Sequence, residues 1–378
     1  MSQSNMNRAA AETEPSAFFS GSYRPEDVKI LLKPISVEPI GIAEKERLIQ
    51  SGRRHYSEML SPENLPSPRY MEIFRKAFAL NRRRMALDLL NLAAIIAARR
   101  NDEITLVSLA RAGTPIGVAL KHILQRFFSR DAEHYSISII RDRGIDTNAL
   151  RFILDHEARF ESGIVFVDGW SGKGVIAREL RKYAHEFNVR HGTRLDYTLF
   201  VLTDLAGVGI APSDDDYLIP SSILNSTVSG LISRSILNEQ IGPNDFHGCV
   251  YYREFEAHDL STWFIDEIVK AVSERIEEGH TPSPKPVDPI SARCRSQRLL
   301  EDLRARFGIA DENLIKPGIG EATRVLLRRV PERVIVRDEK DPAVAHLLQL
   351  AREKGVVWTT ELTLPYRAVS LIKGITDA

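Results

Sequence analysis

Four short apolar runs, at residues 104–109, 135–140, 164–167 and 197–202, constrain this chain most. Each is rich in β-branched or aromatic residues and too short for a buried helix, so each reads as a strand. Helical spacing of Leu, Ala and Ile with few breakers fills 73–100, 115–128 and 174–187 between them. Strands alternating with helices need right-handed crossovers and bury a mostly parallel sheet between helix layers. The expected class is α/β.

At 378 residues the chain is long enough for two domains. The run GHTPSPKPVDP, 279–289, holds four prolines, which neither continue a helix nor sit in a central strand. It reads as a semi-extended linker. The expected division is a flexible tail over 1–20, a first domain over 21–278, a linker over 279–292 and a second domain over 293–378. In the second domain, helices are expected at 291–307, 322–328, 342–354 and 365–372, with strands at 333–336 and 356–358, a small α/β/α sandwich. Residues 291–378 carry 16 Lys/Arg against 12 Asp/Glu, a net of +4. The chain is neutral, with 51 of each sign, so the remainder carries −4. Neutrality argues against a surface that coats nucleic acid or anionic membrane throughout.

Cys249 and Cys294 form no CxxC pair, which argues against a zinc site and fits a reducing compartment. Residues 1–21 lack the apolar core of a secretory signal. The most apolar stretch, 89–98, is half a membrane span long and contains Asn91. A cytoplasmic protein with no membrane partner is expected.

In open parallel sheets, ligands bind beyond the carboxyl ends of the strands. After 164–167 comes Asp168-Gly-Trp-Ser171-Gly172-Lys173-Gly174, which opens a helix. Small residues at a helix start present free N–H groups and the positive dipole end, a phosphate cradle; the same residues also suit a tight turn with Ser171 as cap. Asp168 suits sugar hydroxyls or a divalent cation. After 104–109, Ala110-Arg111-Ala112-Gly113 places a guanidinium where it clamps an anion or faces solvent. Arg141 and Arg143, around Asp142, form a cationic flap or a surface network. Asn225, Ser226, Thr227 and Ser229 make an uncharged polar loop that reads a base or bonds its own backbone. Asp204 is a weaker candidate at a strand end, and His55 reads as a surface histidine.

LARAGTP (109–115) and FVDGWSGKG (166–174) resemble the pyrophosphate loop and the phosphoribosyl-diphosphate (PRPP) loop of type I phosphoribosyltransferases. With DVKILLKP (27–34), SGRRHYSEMLSP (51–62) and PSSILNSTVSGLISRSIL (220–237), the chain resembles the phosphoribosyltransferase-like proteins of tellurium-resistance operons, the StiP family. The resemblance implies a type I phosphoribosyltransferase-like sheet and a transferase displacing pyrophosphate from PRPP or acting on a nucleotide, building a nucleoside-like metabolite in a stress system. It implies Asp168, Arg111, Arg141 and Arg143 as catalytic groups. By the same resemblance Ala110, Arg111, Ala112, Gly113, Asp168, Ser171, Gly172, Lys173 and Gly174 are the expected PRPP-binding residues. The resemblance further implies Mg²⁺ at Asp168, and a base-like acceptor met by Asn225, Ser226 and Thr227. Other tellurium-resistance operon enzymes and a second copy of the chain are the expected partners. Gly169 follows Asp168 where such transferases have a second acid, so one carboxylate is left for the ribose.

KPGIGEATR (316–324) resembles the loop-and-helix motif of Pelota and L7Ae RNA-binding domains. This implies RNA contact by Gly318, Gly320, Glu321 and Arg324 and a structured RNA as partner. Gly320 stands where that family has Asn, and Arg324 where it has Lys. Two other readings compete: a regulator that senses PRPP or nucleotide without turnover, and a cysteine peptidase using His247 and Cys249. The run around Cys249 reads as buried strand, where a thiol is inert packing.

Overall fold

The computed structural model describes residues 18–373. The tail expected over 1–20 lies outside them up to residue 17. Phe18–Ser20 are packed, with Phe19 bridging Ile30.

In chain order the first part holds β1 (Lys29–Leu31), β2 (Lys33–Pro34), α1 (Ile42–Gln50), α2 (Pro68–Arg99), β3 (Ile104–Ala110), α3 (Thr114–Phe128), β4 (Ala132–Ile140) and β5 (Gly144–Ile145). It continues with α4 (Thr147–Arg151), β6 (Ile164–Ser171), α5 (Val175–His191), β7 (Leu199–Asp204), β8 (Gly248–Cys249) and α6 (Ser261–Glu277). The second part holds α7 (Pro289–Phe307), β9 (Ile315–Pro317), α8 (Ile319–Arg328), β10 (Pro331–Val336), α9 (Ala345–Glu353), β11 (Val357–Thr360) and β12 (Ala368–Ile372).

The main sheet runs β1-β4-β3-β6-β7, parallel throughout, with β5 antiparallel beside β4. The chain passes from β3 outward to β4, then crosses back to β6, so the connections part between β3 and β6. In such sheets that divide opens the ligand crevice. β3 is buried along nearly its whole length, as a strand covered on both faces must be. Helices α2, α3 and α6 cover one face and α4 and α5 the other. The expected α/β class with a parallel sheet between helices is the one observed.

Helix α2 starts five residues earlier than the apolar pattern shows. Ser67 Oγ accepts from Tyr70 N–H and Pro68 occupies the first turn, where its missing donor costs nothing. Its half-buried Asn91 accepts from Ser283 N–H at 2.9 Å, and Val287 N–H bonds Ala211 O. The proline-rich stretch is thus laid along the first module.

The second sheet runs β11-β10-β12-β9. One expectation is corrected here. Residues 365–372, read as a last helix, hold β12, antiparallel to both β10 and β9 and buried along all five residues. Two neighbours satisfy its backbone, which outweighs the helix-start signal of Pro365. The hydrophobic core of the main sheet continues into α8, β10 and α9, and Leu205 packs among α7, β9 and β12. Among the described residues no helix is long and apolar enough to cross a membrane.

Candidate functional site

The main cavity, about 830 Å³, opens beyond the carboxyl ends of the strands and has walls from both modules. Ala112, Arg141, Asp168 and Ser171–Gly174 line it from the sheet, and Lys316, Glu321, Arg324 and Arg329 from the second module. The sequence-read loops after β6 and at the start of α8 therefore meet in one cleft.

The loop after β6 is tight. Gly174 adopts φ +73°, and a Cβ there would stand 2.8 Å from Val208. A Cβ on Gly172 would stand 3.2 Å from the Pro317 carbonyl, so any side chain there would press the second module back by a few tenths of an ångström. Helix α5 opens on Gly174 without a side-chain cap. Its first-turn N–H groups remain for an acceptor, with the positive dipole end behind them.

Asp168 accepts from Gly169 N–H at 2.7 Å, and burial pushes its carboxyl up to about 6. Lys173 Nζ donates to the Glu312 carbonyl at 2.6 Å, and burial brings its ammonium down to about 8. Arg141 reaches Asp142 at 3.2 Å and lies over the Tyr56 ring. Among the described residues no three His, Cys, Asp or Glu side chains converge on a metal position. One carboxylate is no cage for Mg²⁺, which takes near-octahedral oxygen ligands.

Arg111 faces elsewhere. Its guanidinium is 11% exposed and forks onto Glu63 at 2.7 and 2.8 Å, with a third bond to the Ile232 carbonyl. It lines a second cavity of about 410 Å³, together with Asn225. Ala110 and Gly113 flank it; the Ala110–Arg111 peptide is cis, and Gly113 packs against Leu109 and Val167. Arg143 pairs with Glu58 at 3.1 Å away from the cleft lining. Asn225 Oδ1 accepts from Thr227 N–H and Oγ–H, and Ser226 N–H donates to Glu63. The polar loop thus bonds itself and Glu63. Asp204 folds its own turn by accepting four N–H groups from residues 206–209. His55, half-buried, bonds Ser57 Oγ at 2.8 Å.

The residues read as the RNA contact are turned inward. Ile319 N–H donates to Asp216 Oδ1 at 2.8 Å, so an acid of the first module caps α8. Gly318 begins that turn at φ +92°, and a Cβ on Gly320 would lie 3.3 Å from the Trp170 ring. Arg324 stacks 4.9 Å from that ring and pairs with Glu321 at 3.3 Å.

Sequence reading missed Lys45, Trp170, Arg234, Lys316 and Arg329 in the cleft, and Asp216 below it. Lys316 and Trp170 lay inside the quoted motifs. Lys45 and Arg329 carried no signal, because nothing in their local sequence separates them from solvated helix charges.

The thiols are separated too. Cys249 is fully buried, and burial pushes its thiol up to about 12. His247 Nδ1 bonds Ser138 Oγ at 2.7 Å. Cys294 is exposed on α7. Among the described residues neither thiol is hydrogen-bonded to an imidazole.

Residues 21–269 match the family described as tellurite-like stress resistance cysteine protease StiP. The chain belongs to the StiP family. Residues 294–374 match the PELOTA RNA binding domain. The "Cysteine protease StiP" of Acinetobacter baylyi (strain ATCC 33305 / BD413 / ADP1) is 41% identical over 371 residues, 94% of each chain. A PLP-dependent aminotransferase structure from Streptococcus suis 89-1591 aligns over 90% of this chain and 87% of its own at 12% identity. Its TM-score of 0.25 carries no argument.

These matches correct the functional expectation. Both the family description and the relative's name are those of a cysteine protease, and they overturn phosphoribosyl transfer as the activity. The glycosyltransferase and PRPP-enzyme readings fall with it. The stress-resistance setting and the Pelota-type module stand.

Proposed function

We propose that this StiP-family protein works through the cleft between its modules, which takes a phosphate-bearing ligand, and that its Pelota-type module binds structured RNA. The observation that carries this is the meeting in one cavity of the uncapped Gly172–Gly174 helix opening with cations from both modules. The sheet order, with its divide between β3 and β6, supports a type I phosphoribosyltransferase-like shape in fold alone. Mg²⁺, if carried in on the ligand's own phosphates, would draw one carboxylate, Asp168, from this cleft. Neighbouring tellurium-resistance proteins and a second copy of the chain belong to the same proposal as partners, and light scattering checks the latter.

Calorimetric titration of the full chain with nucleoside mono- and diphosphates tests the cleft. Gly174→Val should abolish binding, because it closes the loop and strains the left-handed turn. Wild-type protein that binds no phosphate compound would sink the reading.

The relative's name favours a second reading, a cysteine peptidase. Its nucleophile would be a thiolate, and that of Cys249 is suppressed by burial while His247 is held by Ser138. A peptidase using Cys249 must first open β8. Peptide hydrolysis that survives Cys294→Ala, is lost in Cys249→Ala and is blocked by iodoacetamide establishes this reading. No thiol-dependent hydrolysis by the wild type removes it.

A further inference from the structure

The cleft carries more positive charge than its own acids answer, with seven cationic and four acidic side chains in its lining. Most of the cations are engaged. Arg141 meets Asp142, Lys173 the Glu312 carbonyl, Arg234 the carbonyls of Tyr56 and Met59, and Arg329 Glu46. Lys45 of the first module and Lys316 of the second are different. Among the described residues neither ammonium makes a hydrogen bond or an ion pair. Arg329 repels both, which places the two lysines in one cationic cluster. Glu321 acts on Lys316 but is shared with Arg324 and Lys173, and Glu46 acts on Lys45 but is paired with Arg329. Arg324 Nε–H is buried beside it with no acceptor.

A half-buried ammonium whose acid is shared with other cations costs folding free energy that a bound anion offsets. Two such groups, one from each module, lie in a cavity of the volume typical of small-molecule sites. On that cleft reading, the Gly172–Gly174 opening takes one phosphate. We propose that Lys45 and Lys316 form a second anionic subsite that spans the two modules, so that the ligand carries at least two phosphate groups. This rests on the cleft reading above. A ligand held at both places ties the second module to the sheet.

The test compares orthophosphate with tripolyphosphate on the full chain at constant ionic strength by calorimetric titration. Wild type should bind tripolyphosphate at least about 10-fold more tightly than orthophosphate. Lys45→Met and Lys316→Met should each shrink that ratio to about 3-fold or less, with orthophosphate affinity changed less than about 2-fold. Lys45→Arg and Lys316→Arg should keep the preference, which separates charge from packing. Full preference in both methionine variants overturns the subsite while orthophosphate binding leaves the cleft reading standing. Wild type that binds neither anion overturns both.

Discussion

Arg111 shows how a single side chain changes meaning once its partner is known. Read locally, a guanidinium in a strand-to-helix loop is a ready anion clamp. In the fold, Glu63, 48 positions away, occupies both prongs of the fork. Removing one member of such a buried pair costs about 3–5 kcal/mol, so Arg111 and Glu63 hold the loop in place. No local pattern announces a partner at that separation.

Lys45 and Asp168 give the cleft a pH dependence with a definite sign. Burial, with Arg234 and Arg329 nearby and Glu46 opposing them, brings Lys45 down to about 7. Its ammonium is present below that pH and lost above it. Asp168, pushed up to about 6 by burial, is neutral below that pH and ionised above it, where it repels anions. Both changes weaken anion binding as pH rises from 5 to 8. A short disulfonate, dianionic over this range, reaches both subsites and lets only the protein titrate. Its affinity should fall in two steps, near 6 and near 7, and Lys45→Met should remove the upper one. A flat profile for the wild type would contradict this placement.

At the scale of elements, α8 is the informative case. A free helix start would offer N–H groups to an RNA backbone. Here Asp216 accepts from Ile319 N–H and, through its other oxygen, from Arg367 N–H. The neighbouring acids Asp214 and Asp215 pair with Arg295 and Arg367. Three consecutive aspartates thus hold the second module against the first. Asp216→Ala should cost about 1 kcal/mol as a lost cap and free the α8 opening. The variant should be cut sooner by trypsin after Arg293, which wild type holds on the Gly207 carbonyl, and bind kinked RNA stems more tightly than wild type. Cleavage and RNA affinity equal to the wild type would show that this contact shields nothing. The elements themselves were mostly readable: buried runs announced β3, β4, β6 and β7. β12 was not, because Ala-Val-Ser-Leu-Ile becomes a strand only when β9 and β10 flank it.

For the whole molecule, the opposite charges of the two parts gain a structural use. The acidic first module meets the basic second one through Asp214–Asp216 and Glu46, with Arg295, Arg367 and Arg329 opposite. Apolar packing runs on beneath, from the main sheet into α8, β10 and α9. Modules that share a core should unfold together, so calorimetry should show one transition whose calorimetric and van't Hoff enthalpies agree. Two resolved transitions would mean that the shared core adds little stability.

The sequence by itself determined the α/β class, the glycine loop after β6 and the presence of a Pelota-type segment. Each is written in local patterns of hydrophobicity, small residues and helix starts, which act over a few residues. Only the tertiary structure decided which charges are answered. It set Glu63 on Arg111, Asp216 on α8 and Ser138 on His247, and left Lys45 and Lys316 facing one cleft. Ion pairing and burial depend on distances between residues far apart in the chain, and those distances exist only after the core has closed.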